Sequence, residues 1–206
     1  MFMNDFDQKA GQWDKNPSNL DRTAAVAGEM VQRLRFTPGM RALEFGAGTG
    51  LLSFILKDRF DRITLMDTSA GMLGIAREKL ASDDQGKINT LLFDLEKEDY
   101  AGDPFDIIFT QMVMHHMKDV PAIVGKFYEM TAPGGVIAIA DLHAEDGSFH
   151  DGSTDVHHGF DPAALSSLLE ETGFTGIQCS TCFVIRKEAA AGTREYPVFL
   201  LTAVKE

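Results

Sequence analysis

The stretch from Ala42 to Leu51, A-L-E-F-G-A-G-T-G-L, constrains the fold of this chain more than any other. Ala42, Leu43 and Phe45 read as a short buried strand that runs into three glycines at alternate positions, Gly46, Gly48 and Gly50. The helical pattern Leu51, Leu52, Phe54, Ile55 follows at once. Glycines at this density let the backbone take positive φ and let a ligand approach the main chain without meeting a Cβ. The N–H groups of the helix start are then expected to face that ligand.

After the turn, short apolar strands alternate with helices. Strands are expected over Ile63–Met66, closed by Asp67, over Ile88–Phe93, closed by Asp94, over Phe105–Phe109, and over Val136–Ala140, closed by Asp141. Helices are expected over Ala70–Leu80, around Val120–Phe127, and from Pro162 to a stop at Gly173, with Asp161 as N-cap. Upstream, Leu20, Ala24, Ala27, Val31 and Leu34 recur at helical spacing, which predicts an amphipathic helix over Asn19–Phe36 with those residues inward. Near-continuous apolar strands of this kind belong to parallel sheets covered on both faces. Two terminal runs, Gly176–Ile185 and Tyr196–Val204, read as an antiparallel hairpin whose connection is Arg186–Glu195. The predicted fold is therefore α/β, a Rossmann-like doubly wound, mostly parallel sheet of about seven strands with a C-terminal antiparallel hairpin. No repeat or linker interrupts it, so a single domain is expected over residues 1–206, with residues 1–36 an N-terminal segment and helix before an α/β core at 37–206.

Charge and cysteine usage narrow the function classes. There are 19 Lys+Arg against 31 Asp+Glu, and a net charge of −12 argues against nucleic acid as a partner. Met1–Lys15 holds Asp5, Asp7 and Asp14 and no apolar core, so no signal peptide is expected. No apolar run approaches the ~20 residues that span a bilayer, so no membrane partner is expected either. Two cysteines make no disulfide framework, and a cytoplasmic protein is predicted. Cys179 and Cys182 lie three apart in a predicted strand, on opposite faces and without a second pair, so neither redox nor zinc chemistry is expected of them.

In a doubly wound sheet, ligands collect beyond the carboxyl ends of the strands, at the switch point beside the first strand. Gly46–Gly50, Asp67, Asp94, Thr110–His116 and Asp141–Phe160 all fall on that rim. Asp67 is placed to hold ribose hydroxyls, a role that suits a nicotinamide dinucleotide equally well. The dinucleotide fingerprint, however, is G-x-G-x-x-G. Here the third glycine comes one residue early and Leu51 stands in its place, giving E-x-G-x-G-x-G.

Five motifs in order, L-E-F-G-A-G-T-G, M-D-T-S-A-G-M-L, F-D-L, F-D-I-I-F-T-Q-M-V-M-H-H and A-P-G-G, resemble those of class I S-adenosylmethionine-dependent methyltransferases. Over residues 40–175 the chain is similar to the small-molecule, ubiquinone-methyltransferase-like group. The resemblance implies S-adenosylmethionine as cofactor and a small-molecule O, N or C nucleophile as acceptor. It implies that Gly46 and Gly48 lie under the methionine part, with Gly50 completing the turn, and that Asp67 and Thr68 meet the ribose. It implies Met72 against the adenine ring, Asp94 and Leu95 at the adenine edge, and the Thr110 carbonyl near the methionine amino group. Glu44 would favour the cationic amine or sulfonium. Thr110-Gln111-Met112-Val113 departs from the N/D-P-P-Y/F motif of enzymes that methylate base amino groups, and it supplies no carboxylate to hold a polyamine.

Methyl transfer from a sulfonium asks the protein to align the acceptor and exclude water, with a base only where the acceptor must lose a proton. His115, His116 and His143 are the candidate catalytic groups. The segment 142–160 carries His143, His150, His157 and His158 with Asp146, Asp151 and Asp155, and is expected to form a substrate-facing lid. Its spacing matches no metal-ligand template, so no metal is expected. Residues 1–18, with Phe6 and Trp13, are the expected other half of the lid. A regulatory or scaffold protein that binds the same cofactor without turnover is the competing reading.

Overall fold

Strand β1 (Arg41–Phe45) lies between two parallel neighbours, β2 (Arg62–Asp67) and β4 (Phe105–Gln111), in the computed structural model, which describes residues 5–82, 86–150, 155–189 and 192–206. β3 (Ile88–Leu92) extends the sheet beyond β2, and β5 (Thr131–Leu142) extends it beyond β4, both in parallel. β7 (Gly192–Lys205) runs antiparallel to β5, and β6 (Phe174–Ala189) forms the outer edge antiparallel to β7. The order is thus β3-β2-β1-β4-β5-β7-β6. It reverses direction between β1 and β4, which fixes where a ligand crevice opens.

The helices are α1 (Asp5–Trp13), α2 (Pro17–Arg33), α3 (Leu51–Leu56), α4 (Ala70–Ser82), α5 (Val120–Met130) and α6 (Pro162–Thr172). Both faces of the sheet are covered. Leu43, Phe45, Phe105 and Ile108 pack with Phe127 of α5 and Leu169 of α6 on one side. Ala42, Ile63, Leu65, Ile107 and Phe109 pack with Val26 and Met30 of α2 and Leu73 of α4 on the other. Successive strand residues alternate between these two cores, which is why the strands read as unbroken apolar runs.

Local signals set several element ends. The Asp161 carboxylate accepts the Ala163 N–H at 2.9 Å, and Gly173 closes α6 at φ 112°. These are the expected N-cap and stop.

The structure corrects four expectations. Residues before Pro17 include a helix, α1, where only a polar segment with isolated aromatics is legible; of those aromatics Phe2 lies outside the described residues. α2 ends at Arg33 rather than Phe36, and its buried face is Asn19, Arg22, Thr23, Val26, Ala27 and Met30. Leu20 is 42% exposed. Polar residues displace Leu20 and Ala24 from the inward face because they bond one another: Arg22 donates to Asn19 Oδ1 at 3.2 Å, and the Thr23 hydroxyl donates to the Asn19 carbonyl at 2.7 Å. β5 begins at Thr131, so Pro133-Gly134-Gly135 lies within the strand, where the register against β4 shifts between Phe105 and Ile107. Finally, the Arg186–Glu195 stretch is largely paired strand, with Arg186 opposite Glu195 and their side chains 2.9 Å apart. The long hairpin projects beyond the sheet and buries its own small core of Leu142, Phe149, Ile185, Tyr196 and Val198.

Cys179 and Cys182 are both free. Burial pushes the Cys182 thiol up to about 11 and raises Cys179 as well, so neither thiol is poised as a thiolate.

Candidate active site

The glycine turn leaves β1 under tight steric control. Gly46 has φ +64°, and a Cβ there would stand 2.4 Å from Val113 Cγ2. Gly50 has φ +78°, and a Cβ would stand 2.8 Å from Leu65 Cδ1. Gly50 is therefore a packing glycine, and it lies outside the cavity wall. At Gly48 a Cβ would meet only Met72 Sδ at 3.9 Å, so the space above the middle of the turn is open. The helix-start N–H groups do not all face outward as expected. Glu44 Oε2 accepts both the N–H and the hydroxyl of Ser53, capping α3 from β1.

A cavity of about 270 Å³ sits over this turn, and Glu44, Gly46, Gly48, Asp67, Thr68 and Met72 all line it. Asp67 accepts the N–H groups of Gly48 and Ser69, each at 2.7 Å, and burial holds its carboxyl above the usual range against those two bonds. Burial pushes the Glu44 carboxyl up to about 7, opposed by the two Ser53 hydrogen bonds.

Besides Gly50, three expected residues stand off this wall. Asp94 accepts the Glu96 N–H at 3.1 Å and pairs with Lys97 at 2.5 Å, closing a local turn. Leu95 is buried in the core beneath it, and Phe93 and Glu96 line the cavity in their place. Thr110 is buried in β4 opposite Phe45, while the next residue, Gln111, reaches the cavity.

α1 roofs the cavity. One Asp7 carboxylate oxygen accepts the Ser69 hydroxyl at 2.5 Å and the Gly71 N–H at 2.9 Å, at the start of α4. Asp14 accepts the Thr49 hydroxyl from the glycine turn and pairs with Lys79 of α4 at 2.8 Å. These contacts bring Phe6 and Trp13 over the cavity, their ring centroids 6.2 Å apart.

A second cavity, about 830 Å³, adjoins the first. The two share Phe6, Trp13, Arg22, Met112 and His116. Met112 has φ 58°, the left-handed region for a residue with a side chain, at the point where β4 delivers the chain to this junction. Arg22 is 5% exposed, with its Nε unpartnered, and burial lowers its guanidinium to about 10 against the nearby Asp141 charge.

The histidines divide. His115 is 1% exposed, and its Nδ1 lies 2.6 Å from Oδ1 of Asp141, which is itself fully buried. His116 lies at the junction, its ring 4.1 Å from that of His115 and 5.4 Å from that of Phe6. Burial, with His115 and His150 close by, pulls the His116 imidazole down to about 3. His143 does not join them. It bonds the Thr181 hydroxyl at 3.0 Å and packs on Phe199, outside both cavities. His150 takes the third place, its ring 5.0 Å from that of His115. The 142–160 segment does lie over the second cavity through His150, Asp155 and Val156, pinned by the His157 N–H donating to the His115 carbonyl at 2.7 Å. Asp151 lies outside the described residues.

The sequence model of the methyltransferase domain family matches residues 19–179. The chain belongs to this family. It is a class I S-adenosylmethionine-dependent methyltransferase domain, and S-adenosylmethionine is its cofactor. It is 32% identical over 139 residues to the malonyl-[acyl-carrier protein] O-methyltransferase of Serratia marcescens, covering 66% of this chain and 52% of that protein. It is 31% identical over 183 residues to an O-methyltransferase of Pyrenophora dematioidea, covering 82% of this chain and 68% of that one. In fold it is similar to Haemonchus contortus phosphoethanolamine N-methyltransferase 2, solved with phosphomonomethylethanolamine and S-adenosylhomocysteine: TM-score 0.71, 16% identity, 90% of this chain and 52% of that one. The chain spans about half the length, or less, of several relatives that it matches.

The residues of this methyltransferase domain fit its cofactor. Among the groups lining the first cavity, Gln111 Oε1 is a buried acceptor and Arg22 Nε a buried donor, each without a partner among the described residues. An α-amino acid brings the complementary ammonium and carboxylate, and satisfying both orphans removes two desolvation penalties. Asp67 and Thr68 at the tip of β2 offer acceptors for hydroxyls, and Met72 an apolar wall. Sequence reading overlooked Arg22, and it put Gln111 and Asp141 on the ligand rim and His150 in the lid without giving them individual roles.

Proposed function

We propose that this domain methylates a small carboxylic acid on oxygen, with the cofactor in the first cavity and the acid in the second, and that it does so in the cytoplasm. The observation that carries the reading is the shared wall of the two cavities. Phe6, Trp13, Arg22, Met112 and His116 border both, so two ligands can meet there with water shut out by the α1 roof.

The charge of the second cavity supports an acidic acceptor. Among the described residues, Lys9, Arg22, Arg186 and Lys187 line it against a single carboxylate, Asp155, in a chain of net charge −12. Such local reversal of sign concentrates anions. The malonyl and phospho groups in the names of relatives and the bound ligand of the Haemonchus structure are acidic too.

S-adenosylmethionine supplies a methyl group already activated on a sulfonium. The chain supplies position. Asp67 and Thr68 hold the ribose, Met72 lies on the adenine, Gly46 and Gly48 admit the methionine part, and Arg22 and Gln111 take its carboxylate and ammonium. An acid that arrives ionised needs no base, so His116 orients the acceptor, and His115, held by Asp141, positions His116. The two cysteines, Cys179 and Cys182, are both free, as suits a reducing compartment.

The test is release of S-adenosylhomocysteine from S-adenosylmethionine with a panel of small carboxylic acids and their matching amides. Turnover with acids alone is expected. Equal turnover with the amides overturns the acid reading, and tight cofactor binding without turnover on any acceptor favours a regulatory protein on this fold.

A further inference from the structure

Three imidazoles meet on the wall of the second cavity. His115 and His116 end the short 3₁₀ turn Met114–His116 after β4, and His150 ends another, Ser148–His150, in the loop after β5. One ring nitrogen from each lies within 4.8 Å of the other two. The ring centroids stand 4.1, 5.0 and 5.3 Å apart for His115–His116, His115–His150 and His116–His150. All three line the second cavity.

Two further observations point to a ligand at this cluster. Among the described residues, His150 Nε2 is buried with no hydrogen-bond partner. A polar atom left so forgoes the hydrogen bond that water gave it, and that cost needs an offset. The second is Asp141. One of its oxygens lies 2.6 Å from His115 Nδ1 while the other accepts the His115 backbone N–H at 3.2 Å. With Nδ1–H donating to that carboxylate, the Nε2 lone pair of His115 is left free and its ring is locked. Metal-binding histidines are oriented by carboxylates in this manner.

We propose that His115, His116 and His150 form a three-histidine site for a divalent transition-metal ion, with Zn²⁺ the best match and a fourth position open to the second cavity. Three neutral imidazoles are a donor set suited to zinc and its neighbours rather than to magnesium or calcium, which prefer oxygen. Tetrahedral Zn–N bonds of ~2.0–2.1 Å set ligand nitrogens about 3.4 Å apart. The three nitrogens, each within 4.8 Å of the others, draw together by up to about 1.4 Å to reach that spacing when an ion binds. Asp141 and Glu145 bring negative charge toward His150, and Lys187 opposes them; Glu145 Oε1 is also buried and unpartnered. The ion would take an anionic oxygen of the acceptor as its fourth ligand. That use rests on the acidic-acceptor reading, whereas the binding of the ion does not.

The test uses the full chain without an affinity tag, stripped with a chelator and titrated with Zn²⁺ in a calorimeter. Co²⁺ serves as a second probe, since visible absorption reports tetrahedral nitrogen ligation. One equivalent per chain is expected. His150→Ala should weaken uptake at least ~100-fold and Asp141→Asn by ~10–100-fold. His143→Ala, whose ring bonds Thr181 instead, should leave it unchanged. Retained S-adenosylhomocysteine binding by His150→Ala shows that the variant is folded. No stoichiometric uptake by the unaltered chain, or equal uptake by His150→Ala, overturns the site. Uptake with no turnover on any carboxylic acid leaves the metal site standing and removes the acidic-acceptor reading.

Discussion

A carboxylate oxygen of Asp7 accepts the backbone N–H of Gly71 at 2.9 Å, joining the N-terminal helix to the first turn of α4 across 64 residues of sequence. The same oxygen takes the Ser69 hydroxyl, whose own oxygen accepts the Met72 N–H at 3.0 Å. The helix that roofs the cofactor cavity thus also caps the helix whose Met72 lines its wall. A negative charge at that end is favoured by the α4 dipole.

Asp7→Ala removes this clasp. Loss of one to two charge-assisted bonds, each worth roughly 1.5–3 kcal/mol, should loosen α1 and weaken S-adenosylhomocysteine binding by at least ~10-fold. Amide exchange should quicken across α1 and stay slow in β1 and β4. Unchanged affinity with unchanged exchange would show that α1 is no lid.

Two glycine substitutions should act in opposite directions. Gly46→Ala forces a Cβ to 2.4 Å from Val113 at φ +64° and should cost about 1–3 kcal/mol in urea unfolding. Gly74→Ala, inside α4 with nothing within 4 Å of its Cβ, should stabilise by about 0.4–1 kcal/mol. A neutral Gly46→Ala would mean that the turn is not held as described.

Glu44 gives the stability a pH dependence. Its carboxyl is raised from an ordinary 4.5 to about 7 by burial, so the stability it contributes is fully present below 4.5 and is lost as pH rises through about 7. Glu44→Gln should melt progressively higher than the unaltered chain as pH goes from 4.5 to 8, measured on the cofactor-free protein. A difference that does not change with pH would place the Glu44 proton elsewhere.

The sheet was legible because its evidence is local and redundant. Apolar runs closed by Asp67, Asp94 and Asp141, the glycine turn, and Asp161 with Gly173 each announce an element end from neighbouring residues alone. α1 was not legible, because what docks it, Asp7 within it and Asp14 just after it, bonds Ser69, Gly71, Thr49 and Lys79, none of them near in sequence. The inward face of α2 was misread for a related reason: Asn19, Arg22 and Thr23 look like a solvated face until the two cavities they border are known. In the site, Glu44, Gly46, Gly48, Asp67, Thr68 and Met72 follow from motif order, since that order is the order of strand ends. The histidine cluster does not. His150 reaches His115 and His116 only through the path of the loop after β5, whereas His143, nearer in sequence to the strand end, turns to β6. No spacing rule joins 115, 116 and 150.

The central claim, that the glycine turn and Asp67 form the floor of an S-adenosylmethionine site, is tested most directly by calorimetric titration of the unaltered chain and of Asp67→Ala with S-adenosylhomocysteine, and of the unaltered chain with NADH. The account predicts one bound S-adenosylhomocysteine, no NADH binding, and at least ~10-fold weaker S-adenosylhomocysteine binding by Asp67→Ala with its fold intact, about one charge-assisted hydrogen bond. Binding of NADH alone, or an affinity indifferent to Asp67→Ala, would contradict it.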